Sequence, residues 1–198
     1  ATYEKEYNSG MGSNGLTAAR HEVFNKATAD KYPETFDATI PEDLIYCGNY
    51  NLTDTIDTMP LNVGKAVLSP TRTFLPVAKV LFDELKGKIN GMVHCTGGGQ
   101  TKILHFVKDG IHIIKDNLFE TPPLFNLIQK QSDMLWEDMY KVFNMGHRIE
   151  IYVDQEYANE IITISKNFGI DAQVIGRVES NMKGKKLTIE NGSSRFIY

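Results

Sequence analysis

The chain has 198 residues, 41% of them apolar, and a net charge of −4, which is enough for a real core in one domain of ordinary to large size. The acidic balance argues against a general nucleic-acid binder, which carries a basic face. No run approaches the ~18 apolar residues of a membrane span, and the N-terminal residues show no apolar signal region. The two cysteines, Cys47 and Cys95, lack zinc-ligand spacing. They suggest a buried free thiol at Cys95 and a reducing, cytoplasmic compartment.

Residues 1–12 are polar and glycine-rich, unlike an independent element. Ser13 or Asn14 can cap a helix through Leu16, Ala19, Val23, Phe24 and Ala27 that ends near Tyr32-Pro33. Residues 34–66 are irregular, punctuated by Pro41, Gly48, Pro60 and Gly64. The part over 37–63 reads as an insertion or loop, and 63–68 as a short strand. A second helix opens at Ser69-Pro70-Thr71-Arg72, with Phe74, Val77, Ala78, Leu81 and Leu85 on its apolar face, and stops at Lys86-Gly87-Lys88. A strand over 91–96, three glycines and a short helix over 100–107 come next, then a strand over 111–115. Pro122-Pro123 precedes a helix, 136–143 forms another, 149–153 a strand and 154–168 a helix. Residues 171–179 alternate as a strand, and 185–190 with 195–198 form a hairpin around Asn191-Gly192. The pattern predicts an α+β domain with a mixed sheet of about six strands covered by helices, a single domain over 1–198.

The run Gly91-Met92-Val93-His94-Cys95-Thr96-Gly97-Gly98-Gly99-Gln100-Thr101-Lys102 carries most of the functional information. A glycine turn between a strand and a helix leaves N–H groups free at the helix start, where they and the dipole favour an anion, most often phosphate. A plain tight connection is the other reading. The run is neither a Walker loop nor a Gly-x-Gly-x-x-Gly fingerprint. His94 is a candidate acid/base or polar contact, against a core histidine bonded to a carbonyl. Lys102 can neutralise phosphate, since a lysine in a first helical turn opposes the dipole unless an anion is present; a solvated lysine is its plainer reading. Arg72 can hold a carboxylate or phosphate or form a structural ion pair. Asn14 reads as a cap or a ligand contact. Asn144 reads as a helix cap. His21, His105, His112 and His147 share no metal-ligand spacing, and no metal site is expected.

Seven segments taken together resemble the C-terminal half of the aminoimidazole ribonucleotide synthetase family, also called phosphoribosylformylglycinamidine cyclo-ligases. They are Ser9-Gly10-Met11-Gly12-Ser13-Asn14-Gly15-Leu16, Leu68-Ser69-Pro70-Thr71-Arg72, the His94-containing glycine run, Pro122-Pro123-Leu124-Phe125, Glu137-Asp138-Met139-Tyr140, Phe143-Asn144-Met145-Gly146 and Val174-Ile175-Gly176-Arg177-Val178. They occur in the family's order and span nearly the whole chain. The resemblance implies a three-layer α/β/α domain. It also implies a C–N bond-forming ligase of purine biosynthesis that closes the imidazole ring of formylglycinamidine ribonucleotide. ATP and Mg2+ are then required, both expected mainly on an N-terminal half that this chain does not contain, and the complete protein is expected to be a homodimer with no nucleic-acid or membrane partner. On the same grounds His94 is the expected catalytic group. Gly97, Gly98 and Gly99 are expected to cradle a phosphate, with Asn14, Thr71, Arg72, Thr96 and Lys102 as further substrate contacts. Gly12 stands where the family pattern has histidine, and 37–63 is longer than the family pattern. Another ATP-dependent enzyme of the superfamily, or a ligand-binding module without catalysis, are the rival readings.

Overall fold

The computed structural model describes residues 7–69 and 73–198. The first expected helix is broken in two. Helix α1 (Leu16–Val23) stops at Phe24, whose backbone is extended, and α2 (Lys26–Lys31) restarts two residues later. The cause is a tertiary contact. The Asn25 N–H donates to the Tyr50 carbonyl at 3.0 Å, the Tyr50 N–H to Val23 and the Gly48 N–H to Phe24. A Cβ on Gly48 would lie 2.3 Å from Val23 backbone atoms, so only glycine permits this approach. The segment read as an insertion is therefore docked, with Ile45, Tyr46 and Met59 buried in the core. Neither Ser13 nor Asn14 caps α1, which begins after Gly15 in a left-handed conformation (φ +74°). The expected strand over 63–68 is instead a helix, α3 (Val63–Val67), capped by the Asn62 side chain accepting from the Lys65 N–H. The cap and three buried apolar residues outweigh the β-branched composition.

Six strands form, divided between two sheets rather than joined in the single mixed sheet expected. Strand β1 (Ile89–His94) follows helix α4 (Leu75–Glu84). After β2 (Ile111–Lys115) come α5 (Pro123–Ser132) and α6 (Trp136–Val142), then β3 (Ile149–Val153) and α7 (Ala158–Asn167). The chain ends in β4 (Gly176–Ser180), β5 (Lys186–Asn191) and β6 (Ser194–Ile197). Strands β1 and β3 pair antiparallel, with His94 opposite Ile149 and Val93 opposite Glu150. The other sheet runs β4-β2-β5-β6, mixed because β2 and β5 are parallel while its other pairings are antiparallel.

Two cores result. Val77, Leu81 and Leu85 of α4 and its end meet Ile161 and Ile164 of α7 beside the two-stranded sheet. The larger core gathers α1, α3, α5, α6, β2 and β5. Its helix α5 starts at Pro123, a favoured first-turn residue, and buries Leu124, Phe125, Leu127 and Ile128 at the spacing of one helical face. Phe125 is fully buried and its ring centroid lies 5.8 Å from that of Phe143. Phe125→Ala is expected to lower unfolding free energy in urea titrations by about 3–5 kcal/mol; a loss below about 1 kcal/mol would contradict this packing.

Candidate functional site

At the end of β1 the Cys95 N–H still bonds the Arg148 carbonyl at 2.7 Å, after which the chain turns sharply. The Thr96 N–H donates to the His94 carbonyl at 2.8 Å, and the Gly99 N–H to the Thr96 carbonyl at 2.8 Å. The three glycines differ. Gly99 (φ +50°) is buried, and a Cβ there would sit 2.5 Å from the Phe143 carbonyl oxygen and 2.6 Å from that of Tyr140. Gly98 needs glycine for its left-handed backbone (φ +91°). Gly97 is exposed, with nothing within 4 Å of a Cβ. The N–H groups of Gly97 and Gly98 meet no acceptor among the described residues. The segment that follows, Gly99–His105, is a 3-10 helix rather than an α-helix. Its short, poorly aligned ladder carries less dipole, so attraction for an anion here falls to the two N–H groups and nearby cations.

His94, Thr96, Gly97, Gly98 and Lys102 come together on this turn. The Lys102 ammonium donates to the Thr96 hydroxyl. His94 is exposed rather than a core histidine. Partial burial of its ring, then the positive charges of Lys102 and Arg148, hold its pKa below the ordinary imidazole value, so the ring is neutral at pH 7. The Phe74 ring stands edge-on at 6.2 Å from it. Thr71 and Arg72 lie outside the described residues. Asn14 is separated from the open face of the turn: its Nδ2 donates to the Val142 carbonyl at 2.7 Å, at the end of α6. Among the described residues no three His, Cys, Asp or Glu side chains gather as a metal site. The donors at the turn are N–H groups and an ammonium, which suit a phosphate oxygen and not a bare cation.

Beneath the turn lies a polar cluster that strand alternation does not reveal. Lys115 and Glu150 are buried and form an ion pair. The Lys115 ammonium also donates to the Gln100 backbone carbonyl at 2.8 Å and to its Oε1 at 3.0 Å. Gln100 Nε2 donates to the carbonyls of Asn144 (2.7 Å) and His147 (3.2 Å). Glu150 accepts from the Tyr152 hydroxyl at 2.6 Å and from the Cys95 thiol at 3.3 Å. Burial, then the Glu150 charge, push both the thiol and the phenol upward, so each stays protonated. Asn144 does not cap through αL geometry. It anchors the following turn, with Nδ2 donating to the Gly10 carbonyl at 3.1 Å and Oδ1 accepting from the Gly146 N–H at 2.8 Å. Met145 between them holds a strained left-handed backbone (φ +52°). Arg148 reaches back to the Asn8 side chain and to the Gly10 and Met11 carbonyls. Segments 8–15, 94–102 and 143–150 thus converge. A groove of about 1450 Å³ runs from Asn8, Gly10 and Arg148 toward the apolar residues of α4 and α7, and neither His94 nor the glycines line it.

Residues 4–186 match the family model described as AIR synthase related protein, C-terminal domain. The chain belongs to this family. It is 33% identical over 176 residues to a protein named phosphoribosylformylglycinamidine cyclo-ligase from Methanocaldococcus jannaschii, covering 88% of this chain and 43% of the relative. A protein of the same name from Methanococcus vannielii is 40% identical over 127 residues, 62% of this chain and 36% of that protein. One from Bacillus subtilis is 30% identical over 182 residues, 91% of this chain and 45% of that protein. The chain spans under half the length of these relatives. At Gly12, where the motif resemblance has histidine, a Cβ would lie 3.1 Å from Asn14 Oδ1 and 3.4 Å from Asn144 Nδ2. A larger side chain there would press on these two amides.

Sequence reading missed Lys115, Glu150, Gln100 and Arg148. The alternation in Ile149-Glu150-Ile151 suggests a solvated carboxylate, and only the pairing of a lysine on β2 with a glutamate on β3 explains its burial. Two expectations follow. Gly99→Ala should cost at least about 2 kcal/mol by denaturant titration, whereas Gly97→Ala should stay within about 0.5 kcal/mol. His147 is buried and accepts the Phe119 N–H at Nε2 (2.9 Å). Burial, then the Lys115 charge, lower its pKa from 6.5 to about 4. The unfolded chain therefore binds this proton more readily, and stability falls as pH drops from about 6.5 toward about 4, by up to about 3 kcal/mol. His147→Gln should flatten that slope in denaturation curves taken from pH 7 to 4.5.

Proposed function

We propose that this chain is the C-terminal part of a purine-biosynthetic cyclo-ligase, a C–N bond-forming ligase that converts formylglycinamidine ribonucleotide to aminoimidazole ribonucleotide with ATP. The observation that carries this reading is the placement of a neutral, exposed imidazole beside two unpaired glycine N–H groups and a lysine, within a chain whose family and relatives carry that name. The N–H groups of Gly97 and Gly98 hold a phosphate of substrate or nucleotide. The Gly99 N–H is spent on Thr96, so Gly99 serves by close packing. Lys102, steered by Thr96, balances the phosphate charge. His94, neutral at pH 7, takes the proton that the attacking nitrogen releases on ring closure. Thr71, Arg72 and Asn14, the last anchored to the Val142 carbonyl, follow as candidate contacts from the motif resemblance. ATP supplies the activation of the formyl oxygen. ATP and Mg2+ are held mainly by an N-terminal half, the complete protein acts as a homodimer in the cytoplasm, and this chain is a three-layer α/β/α domain that forms one wall of the active site.

The test is steady-state formation of aminoimidazole ribonucleotide by the full-length protein. His94→Gln should lower kcat by about 100-fold or more. Gly97→Val, at a position where a Cβ meets nothing within 4 Å, should raise KM for the ribonucleotide or for ATP by about tenfold without loss of thermal stability. Wild-type kinetics in both variants would remove the site from the reaction.

A further inference from the structure

We infer that Lys115 is a positioning residue for the glycine turn, acting through Gln100 and paired with Glu150. This rests on the reading of the turn as an anion site and extends it to residues that carry no site chemistry of their own. Lys115 lies at the end of β2, Glu150 on β3 and Gln100 in the 3-10 segment directly after the glycines. These strands belong to different sheets. The Lys115–Glu150 pair therefore ties the two sheets together, and its remaining ammonium protons go to Gln100. All three side chains are buried.

The directions of these bonds matter. Lys115 bonds the Gln100 backbone carbonyl, two peptide units beyond Gly98, so it fixes the plane from which the Gly97 and Gly98 N–H groups project. It also fixes Gln100 Oε1, which orients Nε2 toward the carbonyls of Asn144 and His147. Those carbonyls flank the strained Met145-Gly146 turn, and Arg148 follows within one residue. One buried ammonium thus sets the mutual placement of the N–H pair and Arg148, one of the two cations beside His94. A buried ion pair contributes little net stability compared with an apolar pair of similar size. Four hydrogen bonds meeting at Gln100, two from Lys115 and two to the carbonyls of Asn144 and His147, are better explained by fixing geometry than by stabilising the fold.

The groups facing Lys115 are Glu150 from β3, Gln100 from the 3-10 segment, and His147, Cys95 and Tyr152 around them. Lys115→Met combined with Glu150→Gln removes both charges and leaves an acceptor for the Tyr152 hydroxyl. Gln100→Met, made separately, cuts the link to Asn144 and His147 but leaves the ion pair. The experiment records amide NMR spectra of the 198-residue chain, titrated with inorganic phosphate, together with hydrogen exchange and thermal denaturation. In the wild type, phosphate should shift the Gly97 and Gly98 amides. In both variants the affinity should fall about tenfold and the Gly99 and Thr101 amides should exchange at least tenfold faster, with the denaturation midpoint of the double variant within a few degrees of wild type. Unchanged affinity and unchanged exchange in the double variant overturn the inference. If the wild-type chain shows no phosphate shifts at the turn, the anion-site reading fails, and the exchange of Gly99 and Thr101 alone decides whether Lys115 positions the turn. Faster exchange throughout the chain, rather than at these amides, assigns the pair to global stability and also overturns it.

Discussion

The arrangement of the site depends on one close approach: the Gly99 backbone lies against the carbonyls of Tyr140 and Phe143 at the end of α6. No side chain at position 99 would allow it. Because the 3-10 segment is seated there, Gln100 points inward to Asn144 and His147, and Gly97 and Gly98 are left on the outside with their N–H groups free. The same helix end receives the Asn14 amide and the Gly15 backbone, where a Cβ would collide with the Phe143 ring. Segments around residues 14, 99 and 142, the outer two 128 positions apart, therefore share one hub, made of the backbone carbonyls at the end of α6 and the Phe143 ring. That explains why glycine recurs in the motifs.

A second layer of constraint is electrostatic. The buried Lys115–Glu150 pair sits below the turn, and Lys102 and Arg148 flank His94. Burial keeps the Cys95 thiol and the Tyr152 phenol protonated around Glu150 and the His147 ring neutral beside Lys115. Among the described residues the fully buried charges are the paired Lys115 and Glu150, and the other buried polar side chains are neutral. The exposed face carries the cations. On the proposed reading, this separation sets Lys102 and Arg148 beside the turn while the Lys115 charge below it is paired with Glu150.

Much of this was legible in the sequence, and the failures have a common cause. The helices over 75–84, 123–132, 136–142 and 158–167 and the strands β2, β3, β5 and β6 follow from periodicity and end signals, because their apolar faces are continuous in the chain. The break at Phe24, the helix at Val63–Val67 and the docking of the 37–63 segment do not. Each is decided by a partner distant in sequence, such as Tyr50 for Asn25 or Leu52 for Gly64. The single-sheet expectation failed in the same way, since pairing partners cannot be read from strand propensity. At the site, the glycines and His94 stood out by their spacing, whereas Glu150 looked like a solvated strand residue. Its partner lies 35 positions away in sequence, and only the fold brings them together.

The exposure of the turn bears on how it works. His94 and Gly97 are open to solvent, so an anion bound here by two N–H groups and one ammonium competes with water at high effective dielectric, where each charge contact is worth about 1 kcal/mol or less. A surface of this kind binds phosphate weakly by itself. The same donors become much stronger once a second surface excludes water, because the dielectric falls while their positions, fixed from beneath by Lys115 and Gln100, do not have to change. On the proposed reading the turn is a rigid, solvent-facing half-site, which fits a chain that spans under half of its relatives' length.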